Sequence, residues 1–185
     1  MPKQAGINRR AALLAMASLT LCGCVNVMEP PGPAIDMTRL PGWTGDGSED
    51  VYTCGATTTA CAALQIVTYQ AVPATPADLA ALKAAVTNPE AFEAAPATAF
   101  LLQNSGAGVL TRTGTIETAS INGVQGVAIP VGGANADGSL KDHGIVLVLP
   151  GKTVFHAFTG VAKSRKEARD AVRVVATALD RKLMP

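Results

Sequence analysis

Capping signals and the spacing of hydrophobic residues predict three helices in this chain. Thr75-Pro76-Ala77-Asp78 provides an N-cap threonine, a proline at the first helical position and an acid at the third, and a helix should run from there to about Val86. Asn88-Pro89-Glu90 repeats these signals and predicts a second, alanine-rich helix. Ser164-Arg165-Lys166-Glu167 has the form of a capping box before the third. This third helix has an apolar stripe that must pack on a sheet. The stripe consists of Ala168, Ala171, Val172, Val175, Ala178 and Leu179.

Strand patterns occupy much of the remaining chain. Residues 62–69 form a short apolar strand pattern before the first helix, and threonines alternate with other residues from 111 to 120. Asn122-Gly123 follows, a pair that type I′ hairpin turns prefer, and Val127, Ile129 and Val131 then share one face of the next strand.

The most apolar run follows a polar stretch at residues 132–142, which we expect to form a loop. Residues 144–149 are apolar at every position after Gly144, as in a central strand that is covered on both faces. Pro150-Gly151 should turn the chain, and residues 152–158 should return beside that strand. The order predicts an α+β fold in which an antiparallel meander is covered by helices.

Charge is distributed unevenly between the first 23 residues and the rest of the chain. The 185 residues contain 15 Lys and Arg against 14 Asp and Glu, but Lys3, Arg9 and Arg10 lie in the first 23 residues, which contain no acid. From Cys24 onward there are 12 basic and 14 acidic residues, a net charge of −2. A nucleic-acid-binding protein needs a concentrated basic face, so we expect no nucleic-acid partner.

The first 23 residues fit a lipoprotein signal peptide. Basic residues precede the 11-residue run Ala11 to Leu21, which is shorter than the roughly 20 residues that a membrane-spanning helix needs. Leu21-Cys22-Gly23-Cys24 resembles the lipobox of bacterial lipoproteins, which implies that Cys24 is lipidated and becomes the mature N-terminus. The mature protein would then be anchored to the membrane by its N-terminal lipid. Modification at Cys22, secretion without lipid and an uncleaved anchor are the alternatives.

Residues near Cys24 bear on the export pathway and on the membrane to which the protein is sorted. Arg9-Arg10 loosely resembles the start of a twin-arginine export signal, so both general and twin-arginine export stay open. Val25 and Asn26 place no aspartate after Cys24, which by resemblance to enterobacterial sorting favours the outer membrane. We therefore expect a protein of the cell envelope that is lipid-anchored and faces the periplasm.

The mature chain is expected to divide into a tether and one domain. Residues 24–47 are rich in proline and glycine, which disfavours regular structure and predicts a tether. Residues 48–185 then form a single α+β domain. Leu40-Pro41-Gly42-Trp43 should already begin to pack on this domain, because a lone tryptophan is rarely left in a flexible linker.

Cys54 and Cys61 are the two remaining cysteines of the mature chain. In an exported protein such a pair should form a disulfide, and closing so short a loop contributes about 2.5 kcal/mol on the chain-entropy estimate. The alternative is a papain-like cysteine hydrolase in which Cys54 is the nucleophile and His143 or His156 is the base. Cys61 argues against it, since a disulfide would remove the nucleophilic thiol.

Other candidate chemistry is weak. Asp142-His143 and His156 offer metal ligands but no third ligand at a suitable spacing, and no carboxylate pair suggests acid–base catalysis, so neither a metal nor a cofactor is expected. Arginines at 165, 169 and 173 are expected to be the solvated face of the last helix. A small-ligand carrier would need an apolar pocket between sheet and helices, and the 4% aromatic content offers few residues to line one.

The order of elements resembles the PsbP and DcrB-like superfamily over residues 37–183. The similarity includes Leu40-Pro41-Gly42-Trp43, residues 152–158 and the capped terminal helix. It implies an α/β/α sandwich and a non-catalytic binding or assembly role, with an envelope protein as the partner. The cysteine pair and the polar loop depart from the family pattern.

Overall fold

The computed structural model describes residues 34–45, 51–55, 61, 64–89, 110–134 and 140–185. Within these ranges eight strands form one antiparallel sheet, accompanied by two α-helices and two short 3-10 helices. The strands are β1 (Trp43–Thr44), β2 (Val51–Cys54), β3 (Gln65–Pro73), β4 (Leu110–Arg112), β5 (Glu117–Ile121), β6 (Val124–Ala134), β7 (Leu140–Pro150) and β8 (Val154–Val161). The helices are α1 (Pro76–Thr87) and α2 (Arg165–Thr177), and the 3-10 helices are Met37–Arg39 and Arg181–Leu183.

The sheet is a meander to which other strands are added at both ends. Its order is β1-β2-β3-β8-β7-β6-β4, and β5 pairs with β6 beside β4. Strands β5 to β8 follow one another in space as they do in the chain, which confirms the predicted meander. Strand β3 lies on the far side of β8, so the first strands of the domain extend the sheet beyond its last strand.

The hairpin between β5 and β6 has the predicted turn. Asn122 and Gly123 have φ angles of 52° and 85°, both in the left-handed region that a type I′ turn requires. The Asn122 side chain donates a hydrogen bond to the carbonyl oxygen of Thr177 at 3.1 Å. This bond ties the hairpin to the end of α2.

The loop expected at residues 132–142 is mostly strand. Gly133 pairs with Lys141 and Ala134 with Leu140, after a shift of register between Val131 and Gly133. Glycine and polar residues disfavour strands locally, but pairing with a neighbouring strand supplies their backbone hydrogen bonds. The expectation of a long loop was therefore wrong, and residues 135–139 lie outside the described residues.

Helices cover both faces of the sheet, which confirms the α+β fold class and its sheet packed between helices. Leu147 and Leu149 of β7 lie in a core cluster with residues of α2, whereas Val146 and Val148 lie in a separate cluster with Leu82 of α1. Successive residues of a strand point to opposite faces, so β7 contributes to both clusters. The predicted helix at 75–86 is confirmed. The helix expected after Asn88 lies outside the described residues.

The folded unit begins earlier than the boundary expected at residue 48. Ile35 and Leu40 are buried, and Trp43 packs against the same core cluster, as expected. The Asp36 amide donates to the carbonyl of Ala178 at 2.9 Å. Residues 34–45 thus lie on the domain despite their prolines and glycines, because two of their apolar side chains are buried there. The expected signal peptide and the rest of the expected tether, at residues 24–33 and 46–47, lie outside the described residues.

Candidate functional site

The expected lipidation residue, Cys24, lies outside the described residues, as does its alternative, Cys22. In the described parts of the chain, no helix combines the length and apolar character needed to cross a membrane.

Cys54 and Cys61 form the expected disulfide. Cys54 ends β2, and its Cα lies 6.1 Å from that of Cys61. Both residues are buried. The Cys61 sulfur also lies 3.6 Å from the side-chain oxygen of Gln65, the residue of β3 that is paired with Cys54. The bridge therefore fastens the connection between β2 and β3 at the point where the two strands begin to pair.

The structure does not bring either candidate histidine to Cys54. His156 pairs with Ala71 of β3, six positions along that strand from the partner of Cys54, which corresponds to about 20 Å. His143 lies in β7, three strands from β2, which corresponds to about 14 Å between backbones. A nucleophile and its base must approach to hydrogen-bond distance. In the disulfide form, moreover, the Cys54 sulfur carries no thiol.

His156 instead forms a buried polar contact between the sheet and the C-terminal segment. Its Nε2 lies 3.2 Å from the carbonyl oxygen of Leu183, and its Nδ1 lies 3.0 Å from the hydroxyl of Tyr69. The carbonyl can only accept, so Nε2 carries the hydrogen and Nδ1 accepts from the tyrosine. The rings of Tyr69 and His156 are stacked with centroids 6.0 Å apart.

Burial lowers the pKa of His156, because the charged imidazolium would lose its hydration. The hydrogen bond to Leu183 has the opposite, smaller effect and raises this pKa. The neutral ring satisfies both of its nitrogen atoms inside the protein. We assign His156 a structural role.

A cavity of about 180 Å³ lies between β5 and α2 on one face of the sheet. We refer to it as the β5–α2 cavity. The floor of the cavity is apolar. It is formed by four buried residues, Ala128, Ile145, Leu147 and Val172. Ala119 of β5 also lines it. Small side chains at 119 and 128 leave the space between strand and helix that larger residues would fill.

Charged side chains surround the mouth of the cavity. Arg169 of α2 forms an ion pair with Glu117 of β5 at 2.9 Å, and Arg173 lies one turn further along the helix. Arg173 is exposed, and it makes no ion pair or hydrogen bond with any residue that the structure describes. The rim therefore has one paired and one unpaired guanidinium above an apolar floor.

Two hydrogen bonds attach α2 to the chain segments on either side of β5. After β5, the Asn122 side chain donates to the carbonyl oxygen of Thr177 at the end of α2. Before β5, Arg165 Nη2 of α2 donates to the hydroxyl of Thr113 at 3.3 Å. These contacts hold the helix against the edge of the sheet and fix the walls of the cavity.

The prediction that the arginines at 165, 169 and 173 form a solvated face does not reveal this site. In the structure Arg165 and Arg169 reach across to the sheet, and Arg173 lines the cavity. The available signal was their four-residue spacing on the side of α2 next to its apolar stripe. Which strand lies opposite that side depends on tertiary packing.

No cluster of three or more potential metal-binding side chains occurs among the residues that the structure describes. Comparisons of the chain with protein-family models, with curated proteins and with solved structures find no match. The resemblance to the PsbP and DcrB-like superfamily thus stays a prediction.

Proposed function

We propose that this chain is a lipid-anchored lipoprotein of the cell envelope, whose α+β domain faces the periplasm and has a non-catalytic binding role. The observation that carries the proposal is Leu21-Cys22-Gly23-Cys24, placed directly after a basic segment and an apolar run. Cys24 is the proposed lipidation residue. The outer membrane is the proposed location, and an envelope protein or a small ligand is the proposed partner.

The disulfide supports export independently of the N-terminal motif. Cystines persist in oxidising compartments such as the periplasm and are rare in the cytosol. The bridge between Cys54 and Cys61 lies in a buried part of the domain and fastens two strands together. Such a structural cystine suits a protein that folds after export, or in an oxidising environment.

The length of chain before the domain fits attachment close to a membrane. Ten residues lead from Cys24 to the start of the described segment at Ala34, and at full extension they span about 35 Å at most. The chain enters the domain beside the end of α2, where Asp180 donates a backbone hydrogen bond to Ala34 at 2.9 Å. The anchor would therefore hold this end of the domain nearest to the lipid.

A binding role has more support than the cysteine hydrolase considered as an alternative. The hydrolase needs a free Cys54 thiol beside a histidine, whereas the sulfur is bonded to Cys61 and both histidines lie far along the sheet. The β5–α2 cavity provides a concave site in which apolar and charged groups converge, as ligand sites commonly do.

Replacement of Cys24 tests the anchor directly. The full-length chain is expressed with Cys24→Ala or with the matched control Cys22→Ala, and both are followed by membrane fractionation and by labelling with a radioactive fatty acid. We expect Cys24→Ala to lose the label and to leave the membrane fraction, and Cys22→Ala to keep both properties. Persistence of the label in the Cys24→Ala variant would show that the lipidation site is wrong.

A further inference from the structure

We propose that the β5–α2 cavity binds a small carboxylate with an apolar body about the size of a benzene ring. This inference deepens the proposed binding role by naming a ligand class for the site. It rests on the size of the cavity, its apolar floor and the charges at its mouth.

The volume sets the size of the ligand. The cavity measures about 180 Å³. An apolar cavity of about 150 Å³ is large enough to bind benzene. The buried side chains of Ile145, Leu147 and Val172 would contact the apolar body of such a ligand. A nucleotide or a long acyl chain is too large to be enclosed here.

The charges at the mouth favour an anion. Among the lining residues Arg169 and Arg173 carry positive charge and Glu117 carries the only negative charge, so the lining has a net charge of +1. Glu117 already neutralises Arg169 at 2.9 Å. Arg173 has no such partner among the described residues, and its planar guanidinium can hold a carboxylate through two parallel hydrogen bonds. One uncompensated cation matches a monoanion.

Arg169 is already engaged by the sheet. Its Nη2 contacts both oxygen atoms of Glu117, at 3.0 Å and 2.9 Å. Its Nε is buried and is not accessible to a ligand in the cavity. Arg173 is therefore the guanidinium that is left to bind a ligand carboxylate.

Benzoate is the appropriate probe, and benzyl alcohol is its uncharged counterpart. The full-length chain, purified in a mild detergent, is titrated with each compound by isothermal titration calorimetry or by ligand-observed NMR. We expect saturable binding of benzoate and at least tenfold weaker binding of benzyl alcohol, because only benzoate can pair with Arg173. Equal affinity for the two compounds, or no saturable binding of benzoate, overturns the proposal.

Three variants locate the binding. Arg173→Gln should weaken benzoate binding at least tenfold, and because Arg173 is exposed the substitution removes no buried contact. Ala119→Leu should block the cavity, with circular dichroism as the check on folding. The control is Lys166→Gln, since Lys166 lies on α2 but pairs with Asp170 at 2.9 Å away from the cavity. Binding that survives both Arg173→Gln and Ala119→Leu places the ligand elsewhere and contradicts the proposal.

The outcome is independent of the membrane anchor. Loss of the label in Cys24→Ala concerns the N-terminus, whereas benzoate binding concerns the folded domain. Failure of the cavity variants therefore removes the ligand class while leaving the proposed lipoprotein intact, and failure of the Cys24 experiment does the reverse.

Discussion

At the scale of single residues, His156 shows how a titratable group is built into the core. His156 lies among apolar residues in β8. Its ring is buried, stacks on Tyr69 and forms a hydrogen bond with the carbonyl oxygen of Leu183. The neutral ring satisfies both of its nitrogens, and burial disfavours the charged ring, so the fold favours the uncharged form. The protein thereby fixes the C-terminal 3-10 helix to the sheet.

Acidification should destabilise the protein through this residue. Burial lowers the pKa of His156 in the folded state below its ordinary value of 6.5. The unfolded chain thus binds more protons in this range, and stability falls as the pH drops below about 6.5. Urea unfolding between pH 7.5 and 5 should show this decline, and His156→Gln should flatten it.

The matched control is His143→Gln, because the His143 side chain is exposed on β7. This variant should retain the acid-dependent loss of stability that His156 causes. If His156→Gln leaves the pH dependence of unfolding as steep as in the wild type, the buried histidine is not its source.

At the scale of elements, the two helices show how far local signals reach. In α1 the capping box is complete, since Asp78 accepts from the Thr75 amide at 2.8 Å and Thr75 accepts from the Asp78 amide at 3.2 Å. In α2 Ser164 accepts from the Glu167 amide at 3.2 Å, but the Ser164 amide does not donate the reciprocal bond to the Glu167 carboxylate. The sequence predicted both helix starts, and the structure has only half of the expected capping bonds in α2.

The close approach of α2 to the sheet depends on Gly160 of β8. A Cβ at this position would overlap Cγ2 of Val172 and would lie 2.8 Å from the carbonyl oxygen of Ala168. Gly160→Ala should therefore destabilise the protein by about 1–3 kcal/mol, as overpacking of a core does, and urea unfolding measures the loss.

Val172→Ala tests whether steric overlap causes this loss of stability, because it removes the Cγ2 atom that a Cβ at position 160 would overlap. The cost of Gly160→Ala should be smaller in the Val172→Ala background than in the wild type, while the contact with the Ala168 backbone remains. Strictly additive effects of the two substitutions would show that this contact does not limit the packing of α2.

At the scale of the whole molecule, long-range contacts join the two ends of the described chain and close one connection in the sheet. Residues 34–36 pair with residues 178–180 after α2, and the disulfide closes the connection between β2 and β3. The bridge restricts the conformations that are open to the unfolded chain. Its effect on stability is carried by the unfolded state.

Removal of the disulfide should lower the free energy of unfolding by about 2.5 kcal/mol on the chain-entropy estimate. The double variant Cys54→Ser, Cys61→Ser is compared with the wild type by urea unfolding. An unchanged midpoint would mean that the bridge adds no stability.

Thiol counting distinguishes the structural bridge from the alternative enzyme. Alkylation of the exported protein, followed by mass spectrometry, should modify Cys54 and Cys61 only after reduction. An alkylatable Cys54 without reductant would restore the cysteine hydrolase as a candidate.

The sequence by itself determined the features that depend on neighbouring residues. These include the start of α1, the Asn122-Gly123 turn, the doubly covered strand β7 and the amphipathic α2, because capping, turn geometry and periodicity act over a few positions. It also indicated the disulfide, since Cys54 and Cys61 were the pair available. The signal peptide and the lipidation of Cys24 are predictions of the same local kind.

Tertiary structure alone decided which elements meet. Strand β2 was not predicted, β3 begins and ends later than expected and pairs with β8, and the polar residues after Val131 continue as strand. The β5–α2 cavity likewise exists because Ala119 and Ala128 face a helix from a distant part of the chain. Strand pairing and cavity shape depend on contacts between distant positions, which short-range patterns do not encode.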